Sequence, residues 1–358
     1  VNGIELSRRF YVEMVRPWLA GAVPGLGHAA ALIGYGSELL GLDDEMSKDH
    51  NWGPRVHLFL APADFETHAA RLVGAFAAAA PAAFGGEPIG WRSRPHPPSS
   101  GPAAVGDVRH GLEIHTLAGT TERLLGVRSI DALTHLQWLG FAEQRLLAFT
   151  GGAVFHDDDG GLTAARAALG YFPVDVWLYK ISAQWQRIGN EQAFVGRAGQ
   201  AGDDLGSRVV AARLVRDIMR MGFLLERRYA PYAKWFGSAF ATLPIAGDLT
   251  PHLHRALSVD AWQERGEALA AAYLVLAQRQ LADGLGDEIA PVVGPYFDRP
   301  FTTINAEALA GAALQQVRDP MLRQLPQIGS VDQVTDSTPV LENPHASRRM
   351  IIAGLGAG

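Results

Sequence analysis

Gly36-Ser37-Glu38-Leu39-Leu40-Gly41, followed by Ser47-Lys48-Asp49-His50-Asn51-Trp52, is the stretch on which the reading of the fold turns. The apolar run Ala29 to Ile33 precedes it and Val56-His57-Leu58-Phe59-Leu60 follows it, which predicts a buried strand on either side of a polar corner. Gly36 is expected to leave room for a phosphate to approach the backbone, with the Ser37 hydroxyl and nearby N–H groups donating to its oxygens. Asp49 and Asn51 are two residues apart, so an extended segment sets both on one face, an arrangement that suits a hard cation. Taken singly, a Gly-Ser pair is a common turn and an Asp is commonly a surface residue or a helix cap. The combination between two apolar runs points instead to nucleotide chemistry.

Gly36, Ser37, Gly41, Ser47 and Asp49 resemble the pattern of the nucleotidyltransferase superfamily with a DNA polymerase β-like palm, with Lys48 as one extra residue. More narrowly, Ser47-Lys48-Asp49-His50-Asn51-Trp52-Gly53-Pro54 is similar to the Ser-Arg-Asp-His-Asp-Trp-Gly-Pro signature of a bacterial nucleotidyltransferase-like group classed as a domain of unknown function. Two later stretches, Tyr229 to Phe236 and Gly329 to Gln333, also resemble that group. One departure matters, because Asn51 stands where the superfamily has its second aspartate. An amide carbonyl can coordinate a metal but brings no charge, so a second Mg²⁺ site is expected to be weakened.

The resemblance implies a third carboxylate from a neighbouring strand. In Gly111-Leu112-Glu113-Ile114-His115-Thr116-Leu117 the alternation sets Leu112 and Ile114 on one face and Glu113 and His115 on the other. Glu113 is the candidate, as metal ligand or as the general base on an acceptor hydroxyl, with His115 assisting and Asp107 as competitor. The plain alternative is the solvated face of an edge strand. Asp43, Asp44 and Glu45 form an acidic cluster expected to be solvated, though near enough to replace the charge missing at Asn51.

The chain has 358 residues, 48% hydrophobic and 19% charged, enough for two cores, with a formal charge of −6 that argues against a broad nucleic-acid surface. Cysteine is absent, which excludes disulfides, thiolate zinc sites and a cysteine nucleophile. The twelve histidines show no His-x-x-x-His or His-Glu-x-x-His spacing. A signal sequence and a membrane span are both expected to be absent, which places the protein in the cytoplasm with no membrane partner.

The expected architecture is α+β. A nucleotidyltransferase-like palm domain, a mixed sheet with flanking helices, takes residues 1–128; a mainly helical domain takes 129–330 and a C-terminal tail takes 331–358. In the first part a helix is expected from Leu6 to Leu19, ended early by Pro17. Strands around Ala30 to Ile33 and Val56 to Leu60 follow, then a helix capped by Asp64 and ending before Pro81. The proline-rich Trp91 to Gly101 reads as a solvated loop. Helical spacing recurs over 131–149, 162–169, 174–188, 207–225, 259–281 and 306–317, with a loop marked by Pro291, Pro295 and Pro300. The tail is expected to wrap the body and end loosely.

Of 31 basic residues only Lys48, Lys180 and Lys234 are lysines. Lys48 is within reach of a phosphate. Lys234, among Tyr232, Trp235 and Phe236, is a candidate to meet phosphate beside a base or acceptor pocket, the alternative being a packing cluster with a solvent-facing ammonium. Arg213 and Arg216 read as helix surface and Lys180 is unassigned. The combined expectation is a nucleotidyl transfer from a nucleoside triphosphate, with Mg²⁺ or Mn²⁺, to an acceptor hydroxyl, small molecules being favoured and nucleic acid not excluded. Gly36, Ser37, Lys48 and Lys234 would hold the nucleotide, and Asp49, Asn51 and Glu113 the metal. Two alternatives remain open: a nucleotide-sensing protein with weakened catalysis, and a biosynthetic enzyme that reuses the pocket with His50 or His115 as acid or base.

Overall fold

The computed structural model describes residues 2–44, 52–89, 91–92, 108–109 and 111–356. Lys48, Asp49, His50 and Asn51, with Glu45, Ser47 and Asp107, lie outside the described residues. The chain is α+β and divides into two compact units, residues 1–132 with 145–170, and residues 133–144 with 171–358.

The first unit opens with a helix in three parts: α1 (Gly3–Phe10), one π turn (Tyr11–Val15) and α2 (Arg16–Ala22). Pro17 does not end it. The proline sits in the first turn of α2, where the wider π ladder, seen in the Arg16 N–H bonding back to Tyr11, has released it from donating. The strands β1 (Ala29–Leu32) and β2 (Val56–Phe59) form where apolar runs predicted them. Alanines favour helix, but the six residues between Gly27 and Gly34 are too few to sustain one, and burial between two neighbours decides for strand. The helix α3 (Pro62–Ala79) starts two residues earlier than the predicted Asp64 cap, because Pro62 has the fixed φ and missing N–H that suit a first helical position.

Short pairings join β3 (Ala83–Phe84) to β4 (Glu87–Pro88) and β5 (Trp91–Arg92) to β6 (Val108–Arg109), ahead of β7 (Leu112–His115) and α4 (Leu117–Leu125). Residues 131–149 do not form one helix. They give α5 (His135–Gly140), opened by a Thr134–Gln137 capping box, and α6 (Glu143–Thr150), separated where Phe141 takes an extended conformation. A strand that the residue pattern did not predict, β8 (Ala153–Asp157), follows, and then α7 (Gly161–Ala168).

The sheet of the first unit has the order β7-β2-β1-β8, parallel between β2 and β7 and antiparallel elsewhere. One face, with Val56, Leu58, Leu112 and Ile114, packs with Phe10, Leu72 and Phe76 from the helices. Each such side chain taken from water contributes about 1.5–3 kcal/mol. The opposite face carries His57, Phe59, Glu113 and His115, whose register is fixed by the pairs His57↔Glu113 and Phe59↔His115.

The second unit is mainly helical: α8 (Val174–Glu191), α9 (Phe194–Gln200), α10 (Asp204–Leu225), α11 (Ala233–Phe240), α12 (Ala246–Ser258) and α13 (Trp262–Ala282). The prolines at 291–300 mark a loop only in part. Pro291 lies in an irregular segment, but Pro295 and Pro300 sit in the hairpin that follows, of β9 (Val293–Tyr296) and β10 (Arg299–Ile304), whose register shift between Arg299 and Thr302 accommodates Pro300. The unit closes with α14 (Ala306–Gln315), α15 (Pro320–Gln324), α16 (Val331–Val334), α17 (Thr338–Leu341) and α18 (Pro344–Leu355), and α18 buries Ile351 and Leu355.

Candidate functional site

β1 ends where β2 and β7 begin, so one end of the sheet gathers the Gly36-Ser37 corner, residues 52–55 and Gly111. Ser37 starts a short 3-10 turn, Ser37–Leu40. The residue is buried, and its hydroxyl makes no hydrogen bond with a described residue.

Gly36 has φ 142° and ψ 148°, a combination almost confined to glycine. The space beside its Cα is filled by the Glu38 carboxylate and by Arg55 Nη2, which a Cβ would meet at 2.6 Å. Glu38 and Arg55 form a buried ion pair, and Arg55 Nη2 also donates to the Tyr35 carbonyl at 2.5 Å. Burial pushes the Glu38 carboxyl above its usual range, with Arg55 opposing that push. The room that the sequence suggested for a phosphate is thus occupied at Gly36 by this pair.

Both flanks of residues 45–51 are pinned. Asp43 is half-buried rather than solvated, accepting from the Gly3 N–H at 2.9 Å and from Trp52 Nε1 at 3.2 Å. Arg55 N–H donates to Ser7 Oγ at 3.4 Å, and the Val56 N–H donates to the Gly111 carbonyl at 2.6 Å.

Glu113 stands one residue into β7 with an imidazole on either side. His115 Nε2 lies 3.2 Å from Glu113 Oε2, and His57 Nε2 lies 4.0 Å from the same oxygen. The two rings are stacked with centroids 5.6 Å apart. The Ile33 N–H donates to His57 Nδ1 at 3.5 Å, so the neutral ring carries its proton on Nε2 and directs it toward Glu113. Burial pushes His57 down to about 3, which keeps the ring neutral at physiological pH. His115 Nε2 is buried and without a hydrogen-bond partner despite its closeness to Glu113. Sequence reasoning found Glu113 and His115 but missed His57. The signal was there in the alternation of β2, yet only the parallel register of β2 on β7 shows that it shares a face with Glu113.

As a metal site this set fits in part. Glu113 supplies a carboxylate and His115 an open ring nitrogen, whereas His57, accepting from the Ile33 N–H at Nδ1, would present Nε2–H rather than a lone pair to an ion. A second cluster, His28, His156 and Asp158, has less to offer. His28 uses both ring nitrogens, Nδ1 on the Leu26 carbonyl at 3.0 Å and Nε2 on Tyr11 Oη at 2.8 Å, and His156 is paired with Asp158 at 2.8 Å.

On the same face a cavity of about 710 Å³ opens at the far ends of β2 and β7, lined by Phe59, Pro62, Thr116, Thr121, Arg128 and Asp131 among others. His115 is the link, its ring 6.1 Å from that of Phe59.

Lys234 belongs to the second unit, exposed on α11 with Nζ 4.9 Å from its neighbour's Trp235 ring. Lys180, unassigned from the sequence, is fully buried. Its Nζ donates to Glu143 Oε1 at 2.7 Å and lies 3.8 Å from the Phe172 ring centroid. The Ala230 N–H donates to Glu143 Oε2 at 2.8 Å and Glu143 N–H donates to Asp332 Oδ2 at 3.0 Å. Gln333 Nε2 donates to the Lys180 carbonyl at 2.9 Å. Tyr229 to Phe236 and Gly329 to Gln333 therefore meet at one buried charge pair.

Residues 138–236 match the family model described as a domain of unknown function, DUF4037. No curated protein and no solved structure matches the chain. The matched stretch contains Glu143, Lys180 and Ala230, and begins after Glu113.

Proposed function

We propose that this chain is a metal-dependent nucleotidyltransferase with a polymerase β-like palm, moving a nucleoside monophosphate from a nucleoside triphosphate to a hydroxyl of a small-molecule acceptor. The observation that carries the reading is the gathering, at one end of a four-stranded mixed sheet, of the Ser37 corner, the pinned flanks of residues 45–51, and a carboxylate held between two imidazoles. Ser37, with an uncommitted hydroxyl, would donate to phosphate oxygens. Asp49 and Glu113 would hold the ion, with Asn51 as a weak neutral ligand and Lys48 on a phosphate.

A bound divalent ion would neutralise charge on the triphosphate and the departing pyrophosphate. His57 would keep Glu113 aimed, and His115 would add a nitrogen donor that Mn²⁺ accepts more readily than Mg²⁺ does. The cavity beyond Phe59 has the volume of a small-molecule pocket and would take the acceptor. The location proposed with this activity is the cytoplasm; among the described residues no helix is long and apolar enough to cross a membrane.

The test is pyrophosphate release from a panel of nucleoside triphosphates with Mg²⁺ or Mn²⁺, using wild type, Asp49→Ala and Glu113→Gln. Release lost by both variants, and stronger with Mn²⁺, supports the reading. Tight nucleotide binding with no release in wild type, even with cell extract as acceptor source, replaces it with the sensing reading. Neither binding nor release refutes both.

A further inference from the structure

In the second unit, α10 turns Arg213, Arg216, Asp217 and Arg220 to one side at helical spacings of three and four. That face and Arg187 of α8 border a cavity of about 270 Å³, closed by Asp332 to Asp336.

Most of the charges there are already matched. Arg187 Nε pairs with Asp217 Oδ1 at 2.8 Å, Arg216 with Asp336 at 2.6 Å, and Arg213 with Glu191 at 2.9 Å. Arg220 is the exception. Among the described residues its guanidinium makes no direct hydrogen bond or ion pair, lying 5.7 Å from the Phe236 ring centroid, although its charge reaches Glu143, Asp332 and Asp336 at longer range. The second exception is an acceptor: Asp217 is 3% exposed, yet its Oδ2 has no partner among the described residues, while Oδ1 takes both Arg187 and Gln184. An unmatched buried carboxylate oxygen costs about 1–3 kcal/mol, more when charged, so a group that donates to it is expected. Arg220 suits an acceptor with a planar pair of oxygens, Asp217 Oδ2 suits a donor, and the cavity is lined by both residues, which stand one helical turn apart.

We infer that this cavity binds a small oxyanion of the phosphate class that carries its own O–H, with Arg220 donating to its oxygens and Asp217 Oδ2 accepting its proton. Arg187, Arg213 and Arg216 supply surrounding positive charge while keeping their acidic partners, and Asp332 and Asp336 close the wall. The acceptor sets the selectivity. Hydrogen phosphate and phosphomonoesters in their monoanion form can donate to a carboxylate, whereas sulfate cannot and is repelled by it.

Calorimetric titration of the whole chain with inorganic phosphate and with sulfate, at matched ionic strength, reads this directly. Wild type is expected to bind phosphate at least tenfold more tightly than sulfate. Arg220→Ala should weaken phosphate at least tenfold, and Arg220→Lys should recover only part because it lacks the fork. Asp217→Asn should abolish the preference over sulfate; since Asp217 also anchors Arg187, circular dichroism confirms its fold. The half-buried Arg220 keeps the test decisive if that variant fails to fold. Phosphate binding unchanged in Arg220→Ala, equal affinity for sulfate in wild type, or no phosphate binding at millimolar concentration overturns the inference.

Discussion

Replacing Gly36 by alanine separates two accounts of the corner that follows β1. A Cβ there would meet Arg55 Nη2 at 2.6 Å and also strike the Glu38 carboxylate, while φ of 142° strains any L residue. The backbone alone costs about 1–3 kcal/mol. Both obstructing atoms belong to a buried pair, with side-chain exposures of 11% and 2%, so neither can swing into solvent at small cost. Separating such a pair costs about 3–5 kcal/mol when a charge is left uncompensated. The expected destabilisation of Gly36→Ala is therefore about 4–8 kcal/mol if the pair is fully separated, the sum of the two costs. Gly34 supplies the control, with φ 98° and nothing within 4 Å of an added Cβ, so Gly34→Ala should show the backbone part only. Urea unfolding followed by tryptophan fluorescence and circular dichroism measures both. If Gly36→Ala is no less stable than Gly34→Ala but binds nucleotide more weakly, the glycine serves phosphate approach and the steric argument fails.

Two further outcomes concern the second unit. Lys180→Met should cost about 3–5 kcal/mol by stranding Glu143, and Lys180→Met with Glu143→Met should recover part of it, less what the Ala230 N–H loses, in the same urea assay; a double variant no better than the single would refute it. Burial and Glu143 push the Asp332 carboxyl up to about 6, so the unfolded chain loses that proton first as pH rises and stability falls between about pH 4 and 6. Asp332→Asn keeps an acceptor for the Glu143 N–H and removes the titration, so relative to wild type it should gain about 3 kcal/mol across that window, at about 1.36 kcal/mol for each tenfold difference in proton affinity between the folded and unfolded chains; an unchanged difference between pH 4 and 7 would contradict it.

The main strands and most long helices were legible because each rested on local signals: apolar runs for β1 and β2, 3.6-residue spacing for α8, α10 and α13. What escaped was decided at a distance. β8 was hidden because its five residues are all half-buried and give no clean alternation, so only pairing to β1 identifies it. Pro17 and Pro300 misled in opposite settings for one reason, since a proline breaks only an element that needs its N–H, and neither the π turn nor the shifted hairpin does. In the first unit, the place of Glu113 on β7 was legible from its alternation, whereas the place of His57 beside it depends on the parallel register of β2 on β7.

The Ile33 N–H also constrains the chemistry. Were His57 a ligand through Nε2, its Nδ1 would have to carry the proton, and the Ile33 N–H would then face another donor. Backbone geometry at the end of β1 thus disfavours His57 as a ligand through Nε2 and leaves the His115 nitrogen as the imidazole donor of the pair in the proposed site. In the proposed metal site, Glu113 with His115 offers a single negative charge, so further charge is expected from residues 45–51, where Glu45 and Asp49 are the carboxylates. On the proposed reading Asp49 is the ligand from that stretch and Asn51 a neutral one, so the loss of Asp49 and the loss of Glu113 are each expected to stop turnover, whereas Asn51→Asp should strengthen metal binding without being required for it.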